Sequence, residues 1–403
     1  MARSLQNGDL NVTSGRGGEG VCASITLEES ALSISLACFI IANTLGSVNL
    51  TLIGGIGKSS ISLALQIFGL GILVLGYLPR RFEQRETALF TVGLVIGIGT
   101  LFVAKVATIL WLVLLSGLGA ASTTRRLARV VCIVSGVMLA LVIVGNFLGL
   151  IPSVLFSGER TRTSLGFAHP NNLGMMVLVF YVSLTTSVGS HHPIRILLLG
   201  IVLTGFLLAT SETRTVALLL PLYWLVLVLF GRGRWLQRHG RGIVLFLFWL
   251  SLILSFMLVA LYRAGSPMAY RLDALLSGRI YYSTYYLNLY FPTLFGVDAN
   301  QMVPPMSVMG AYRLTTTIVL DCSYIRLFVQ FGVLPAIMFI VYVTLGVKKT
   351  SFDPLLMAGL TVIFVYALSE NCLYSPMVNF FLIPVFGKLF GSEPSSGKRL
   401  TYS

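Results

Sequence analysis

The sequence predicts an all-α polytopic integral membrane protein with about twelve transmembrane helices and one long outer loop. Two observations carry this prediction. Hydrophobic residues make up 56% of the 403 residues, whereas only 10% of the residues are charged. The apolar residues also fall into long blocks, whose lengths approach the roughly 20 residues that a helix needs to cross a bilayer.

The apolar blocks follow one another along the central part of the chain. They are Ala31–Leu52, Ile61–Leu78, Thr87–Ala104, Val106–Ala121, Val130–Leu150, Leu173–Thr186, Leu197–Ala209, Val216–Phe230, Ile243–Tyr262, Ile325–Leu345, Leu355–Ser369 and Met377–Leu389. The first 30 residues are polar and rich in Gly and Ser, which predicts a disordered tail and no cleaved signal peptide. The transmembrane domain therefore covers residues 31–390, and a second short tail covers 391–403.

Basic residues predict the orientation, because Lys and Arg near the ends of spans are retained in the cytoplasm. They cluster in alternate loops of a twelve-span arrangement. The groups are Arg80, Arg81 and Arg85; Arg125, Arg126 and Arg129; Arg232, Arg234, Arg238 and Arg241; and Lys348 and Lys349. We therefore expect both termini in the cytoplasm. The same topology accounts for most of the net charge of +14, which is consequently no evidence for nucleic-acid binding.

Other common classes of site have no signal in the sequence. The five cysteines lie without Cys-x-x-Cys spacing, which argues against a metal or disulfide framework. Only Cys322 and Cys372 are expected near the same outer surface. The outer segments also contain no Asp-x-Asp pair, so we expect neither a metal nor a cofactor.

The outer loop spans residues 263–324 and is longer than most connections. Its segment Tyr270–Tyr290 repeats apolar and aromatic residues at helical spacing, which predicts a helix along the membrane surface. The tyrosines of this segment include Tyr281, Tyr282, Tyr285 and Tyr286. They are typical of an interfacial aromatic belt, and they also suit stacking against sugar rings.

Arginines on the predicted outer side are the best indication of chemistry, because outer loops are usually poor in basic residues. Arg160 and Arg162 lie in the polar segment Glu159–Asn172, and Arg214 lies in a tight turn between two spans. Arg279 lies in the outer loop. A planar guanidinium forms forked hydrogen bonds with phosphate oxygens. These residues therefore predict a site for a diphosphate, although Arg214 can also pair with the adjacent Glu212.

Three outer residues are candidates for a general base. His169 is the only histidine predicted outside, and its ordinary pKa of about 6.5 suits proton transfer. Asp321 precedes one span and Glu370 ends another. Each of the three can instead cap or pair at a helix end.

These positions resemble the Wzy-like oligosaccharide repeat-unit polymerases of the O-antigen polymerase and ligase superfamily. The resemblance covers most of the chain. It rests on five elements: Arg162 to Gly174, which contains His169-Pro170-Asn171; Thr213-Arg214-Thr215; Ser277-Gly278-Arg279; Asp321-Cys322-Ser323-Tyr324 with the later Gly332; and Glu370 with Asn379.

The resemblance implies a GT-C-type glycosyltransferase of the bacterial cytoplasmic membrane that polymerises undecaprenyl-diphosphate-linked repeat units on the outer face. Such enzymes build capsule, exopolysaccharide or O-antigen, and they work beside flippase and chain-length regulator proteins. The implied reaction needs no metal and inverts the anomeric carbon. The implied catalytic residues are His169, Asp321 and Glu370. The implied substrate-binding residues are Arg160, Arg162, Asn171, Arg214, Arg279, Tyr324 and Asn379.

Two alternatives stay open. A ligase of the same superfamily would transfer finished glycan to an acceptor, but such ligases usually carry a catalytic histidine in the long outer loop, which has none here. A flippase for lipid-linked oligosaccharides would also place arginines near diphosphates. A flippase has little need of so long an outer loop.

Overall fold

The computed structural model describes residues 26–50, 52–53, 55–80, 83–153, 155–157, 161–189, 193–298 and 320–391. Most of the two predicted tails, residues 299–319 of the outer loop, and Arg160 lie outside the described residues.

Helices dominate this part of the chain. In order, the first eight are α1 (Leu27–Ser47), α2 (Lys58–Tyr77), α3 (Gln84–Ala104), α4 (Thr108–Gly117), α5 (Thr124–Phe147), α6 (Pro170–Val188), α7 (Pro193–Thr210) and α8 (Arg214–Arg232). The others are α9 (Arg234–Arg263), α10 (Pro267–Leu275), α11 (Arg279–Leu289), α12 (Ser323–Arg326), α13 (Val333–Lys349), α14 (Pro354–Tyr366) and α15 (Leu382–Phe390). Two antiparallel hairpins precede α2 and α6: β1 (Leu52–Ile53) with β2 (Ile56–Gly57), and β3 (Leu155–Ser157) with β4 (Thr161–Thr163).

Eight helices of the described chain are long and apolar enough to cross a membrane: α1, α2, α3, α5, α6, α7, α8 and α9. Several of them leave large apolar side chains exposed, such as Ile67 on α2, Phe102 on α3 and Val202 on α7. Helix α6 is mostly buried, and nearly every residue of the shorter α14 is buried. The fold is therefore that of a polytopic membrane protein, in which an outer ring of helices surrounds buried ones.

The basic residues predicted to face the cytoplasm gather at one end of the bundle. Arg80 lies 3.7 Å from Glu28 at the start of α1 and donates to the carbonyl of Phe390 at the end of α15. Arg126, at the start of α5, pairs with Glu29. At the same end, Arg241 donates to the carbonyl of Lys348 at 3.2 Å. We call this the basic end of the bundle, and the other end the opposite end.

Four of the twelve predicted spans differ from simple crossing helices. Helix α4 has 10 residues, α14 has 13 and α15 has 9. The predicted span Ile325–Leu345 is divided into α12, a π-helical turn (Leu327–Phe331) and α13. The division falls at Gly332, whose φ is +98°, a conformation that favours glycine.

At Gly332 the outer loop and the start of α13 come into close contact. Residues 293–297 of the outer loop lie against it, and the amides of Val333 and Leu334 donate to the carbonyls of Thr293 and Leu294. A Cβ atom at Gly332 would lie 2.3 Å from the backbone nitrogen of Gly296. Glycine at both positions therefore permits direct backbone contact between the outer loop and the start of α13.

The predicted single helix over Tyr270–Tyr290 is wrong, because the chain forms α10 and α11 with a sharp turn between them. Ser277 and Gly278 have φ values of +58° and +81°. The carboxylate of Asp273 accepts hydrogen bonds from the amides of Ile280 and Tyr281, at 2.8 and 3.0 Å. Asp273 thus satisfies amides in the first turn of α11, which continuous helical periodicity does not reveal.

Candidate functional site

Three charged side chains from distant parts of the sequence meet at the opposite end. Arg279 is the first residue of α11, Asp321 precedes α12, and Glu370 follows α14. Nη2 of Arg279 lies 2.5 Å from Oε1 of Glu370, and its Nε lies 3.9 Å from Oδ2 of Asp321. One guanidinium thus joins two carboxylates that the sequence separates by 49 positions.

The two carboxylates differ in their access to solvent. The side chain of Glu370 is 10% exposed, whereas that of Asp321 is 23% exposed. Glu370 also makes the short contact with Arg279, and Asp321 makes the longer one. Asp321 is therefore the more accessible of the two carboxylates, and Glu370 is the one that holds the arginine.

Glu370 lies on an irregular segment, residues 367–381, that is almost wholly buried between α14 and α15. Non-helical backbone is tolerated at membrane depth only where protein or a water-filled cavity surrounds it. Its polar groups therefore need partners. Asn379, which has no exposed surface, donates from Nδ2 to the carbonyl of Leu373 at 2.7 Å.

Ser323, at the start of α12, supplies most of the other partners. Its hydroxyl donates to the carbonyl of Glu370 at 2.5 Å and accepts hydrogen bonds from the amides of Cys372 and Leu373, at 2.9 and 3.2 Å. A serine hydroxyl offers one donor and two acceptor positions, so all of its capacity is used. This buried hydroxyl fixes the turn that carries Glu370 beside Asp321.

The electrostatics of the three residues follow from burial and from their shared charge. Burial raises the pKa of Asp321, and the positive charges of Arg279 and Arg326 oppose that rise. Burial also raises the pKa of Glu370 to about 7; Arg279 lowers it and the charge of Asp321 raises it. Burial therefore favours the protonated form of both carboxyl groups, and the guanidinium that they share opposes it.

A second group of predicted site residues lies around the start of α6. His169 is the N-cap of that helix, and its Nδ1 accepts a hydrogen bond from the amide of Asn171 at 3.1 Å. Burial lowers the pKa of His169, and the charge of Arg162 lowers it further. The imidazole is consequently neutral at physiological pH, and one of its nitrogens is already used as a helix cap.

Close packing connects the second group to Arg214. A Cβ atom at Gly174 would lie 2.8 Å from Oγ1 of Thr213, so glycine allows the starts of α6 and α8 to touch. Arg214 is the first residue of α8 and is exposed. Helix α8 also packs against α14, whose end carries Glu370. Helix α8 thus contacts both α6, at whose start His169 lies, and α14, which precedes Glu370.

The remaining predicted residues have structural contacts. Tyr324 has no exposed surface, and its hydroxyl donates to the carbonyl of Phe364 at 2.9 Å. Asn379 binds the backbone of the irregular segment. Both placements favour support of the site over direct contact with a substrate. Arg160 lies outside the described residues.

Sequence reasoning assigned no role to several residues that build the site. Ser323 and Asp273 organise the backbone turns that carry Glu370 and Arg279, and such hydrogen bonds leave no periodic signal in the sequence. Arg326, at the end of α12, is a third such residue. Its Nε donates to Oε1 of Gln330 across the π-helical turn, and its Nη1 lies 3.5 Å from the carbonyl of Leu320.

The described residues contain no group of three His, Cys, Asp or Glu side chains placed to hold a metal ion. Cys322 and Cys372 are free, buried thiols. The fold and this cluster define the protein as a multi-pass membrane protein with a buried ionic site at one end of its helices. The sequence matches no protein-family model and no curated protein, and the fold matches no solved structure.

Proposed function

We propose that the protein is a glycosyltransferase that polymerises undecaprenyl-diphosphate-linked oligosaccharide repeat units on the outer face of the bacterial cytoplasmic membrane. The observation that carries this proposal is the pair of carboxylates, Asp321 and Glu370, joined by Arg279 at one end of a membrane-spanning bundle. Unequal exposure gives the two acids different roles. In this proposal the opposite end faces outward, and the twelve apolar segments place both termini in the cytoplasm.

Asp321 is the base in the proposed reaction. Its carboxylate takes the proton of an acceptor sugar hydroxyl while the hydroxyl oxygen attacks the anomeric carbon of the lipid-linked donor. A glycosidic bond forms as the bond between that carbon and the diphosphate oxygen breaks. The electron pair leaves with the lipid diphosphate, and a single displacement inverts the anomeric centre.

The arginines divide between two tasks. Arg279 is engaged by both carboxylates, so it orients the acids and is not the main ligand of the diphosphate. Arg162 and the exposed Arg214 lie in the neighbouring group around the starts of α6 and α8. They are the guanidinium groups suited to neutralise the leaving diphosphate without a metal.

An apolar groove of the bundle also fits an amphiphilic substrate. It has a volume of about 600 Å³ and runs between α9 and α13. It is lined by side chains that include Trp249, Leu252, Phe256, Ala260, Phe328 and Ile340. Phe328 belongs to the π-helical turn that follows α12. In this proposal the groove holds the polyprenyl chain of the substrate.

The decisive experiment uses purified protein in liposomes that contain the lipid-linked repeat isolated from a strain lacking the gene. Formation of chains of two or more repeats, lost in Asp321→Asn and retained in Arg271→Lys, supports a polymerase. Arg271 lies on α10 and is exposed. Movement of the repeat across the bilayer without chain growth would instead identify a flippase. Transfer of finished glycan to an added acceptor would identify a ligase.

A further inference from the structure

The first two turns of α11 carry an aromatic side chain on the same side of the helix as the arginine of the ionic cluster. Tyr282 follows Arg279 by three positions, so the two side chains are neighbours on the helix surface. Burial raises the pKa of the Tyr282 phenol, and the charges of Tyr281, Asp273 and Asp321 raise it further. The side chain of Tyr282 is half-buried and therefore keeps an accessible surface.

Tyr282 differs from its neighbours in the aromatic row of α11. Tyr281 is 40% exposed and contacts Tyr262 and Tyr285 across ring distances of 6.3 Å. Tyr286 is 2% exposed, and its ring stacks on that of Tyr290. An interfacial belt explains Tyr281, because the most exposed ring is the one that reaches the membrane surface. It does not explain a half-buried ring on the same side of α11 as Arg279.

The cluster also contains a hydrogen-bond donor that lacks a partner. Nη1 of Arg279 is buried and has no partner among the residues that the structure describes. Buried polar atoms are almost always satisfied, so such a donor needs an explanation. A ligand with a hydroxyl oxygen would supply the acceptor.

We propose that Tyr282, Asp321 and Arg279 form a binding site for one pyranose ring. The apolar face of the sugar stacks on the Tyr282 ring, while Asp321 accepts a hydrogen bond from a sugar hydroxyl and Nη1 of Arg279 donates one. In the proposed reaction this site would hold the acceptor sugar, and this assignment rests on the proposed function. Sugar binding itself requires no turnover.

The test is saturation-transfer NMR on the detergent-solubilised protein. The probes are methyl α- and β-pyranosides of glucose, galactose, mannose and N-acetylglucosamine. We expect at least one glycoside to receive saturation, mainly at the ring protons of its apolar face. Tyr282→Phe should keep the signal because the ring remains. Tyr282→Ala should weaken apparent binding roughly 2- to 10-fold, the range that one aromatic contact gives.

Tyr270→Ala is the matched control, because it removes an exposed tyrosine ring of the neighbouring α10 that packs on Tyr262. Tyr281 is unsuitable, because its ring lies 5.5 Å from that of Tyr282. Retention of binding in Tyr270→Ala supports the site. Equal losses in Tyr270→Ala and Tyr282→Ala, or no glycoside signal in the wild type above that of Tyr282→Ala, would overturn it. Polymer formation is measured separately. Sugar binding without chain growth would support the sugar site and contradict the proposed polymerase function. Chain growth that is unaffected by Tyr282→Ala would support the polymerase function and contradict the sugar site.

Discussion

The guanidinium of Arg279 and the carboxylate of Glu370 belong to residues 91 positions apart and meet at 2.5 Å. Both side chains are largely buried, and the same guanidinium faces Asp321 at 3.9 Å. A buried ion pair of this kind is weak evidence for stability, because desolvation offsets much of the attraction. The importance of this contact lies in its geometry, which places two carboxylates against one guanidinium.

Arg279→Lys should therefore abolish most activity while the protein still inserts. Lys keeps the positive charge but cannot extend a planar fork to two carboxylates. Loss of one charge-assisted contact costs about 2 to 3 kcal/mol of transition-state stabilisation, or tens- to hundreds-fold in rate. The measurement is chain growth in liposomes at matched protein levels, with Arg271→Lys as the control. Wild-type turnover by Arg279→Lys would contradict this assignment.

Ser323→Ala should destabilise the segment that carries Glu370. The substitution removes the acceptor of the buried Leu373 amide, whereas the Cys372 amide keeps the carbonyl of Glu370 at 3.1 Å. The expected cost is about 1 to 3 kcal/mol. Thermal unfolding in detergent measures the loss as a lower midpoint. Ser369→Ala is the matched control, because the Ser369 hydroxyl is half-buried and donates only to the carbonyl of Tyr366. Equal midpoints for the two variants would show that Ser323 is dispensable.

The pH dependence of turnover should report the ionisation of Asp321. Asp321 acts as a base only when it is deprotonated, and burial raises its pKa, so the rate should rise with pH above the ordinary titration range of an aspartic acid. Glu370→Gln removes a neighbouring carboxylate whose negative charge disfavours ionisation of Asp321. The acidic limb should then move to lower pH.

The control for this measurement is Glu83→Gln, which removes an exposed carboxylate at the basic end. Its profile should coincide with that of the wild type. If the acidic limb of Glu370→Gln stays in place or moves to higher pH, the charge of Glu370 does not disfavour ionisation of Asp321.

The sequence predicted the helical membrane class because hydropathy and span length act locally, and eight helices of sufficient length are found in the described chain. It did not predict that α15 begins only at Leu382, because the preceding residues are as apolar as a span. Among these residues Asn379 binds the carbonyl of Leu373, and Ser323 fixes the turn that comes shortly before them. Such hydrogen bonds leave no periodic signal.

Sequence reasoning proposed candidate site residues one by one and did not predict which of them meet. Asp321, Glu370 and Arg279 were all candidates, yet their contact depends on how α11, α12 and α14 pack. His169 shows the opposite case. Its position before Pro170 already allowed a cap, and the hydrogen bond from Asn171 shows that this local interaction is formed. Local signals could be read from the sequence, whereas the pairing of distant charges could not.

Labelling should place the basic end and the opposite end on different sides of the membrane. Leu275 on α10 and Arg234 on α9 are both exposed, so each can be replaced by a single cysteine. In a background without native cysteines, an impermeant thiol reagent applied to intact cells should label Leu275→Cys and leave Arg234→Cys unlabelled until the cells are opened. The reverse pattern would place the ionic cluster in the cytoplasm and exclude the proposed function.

Substitutions at His169 and Asp321 should show which of the two residues is the base. Asn is a good N-cap, so His169→Asn should keep the cap of α6 while removing the imidazole. We expect near-normal turnover and stability in this variant. His169→Ala loses the cap and should cost about 1 kcal/mol of stability.

Asp321→Asn keeps the shape of the side chain but cannot accept the proton, so turnover should fall roughly 100- to 10,000-fold. The three variants are compared in liposomes containing purified lipid-linked repeat, with donor binding measured in parallel. Collapse of turnover in His169→Asn, together with intact binding and a normal unfolding midpoint, would transfer the role of base to His169. Asp321 would then be left as a partner that only orients Arg279.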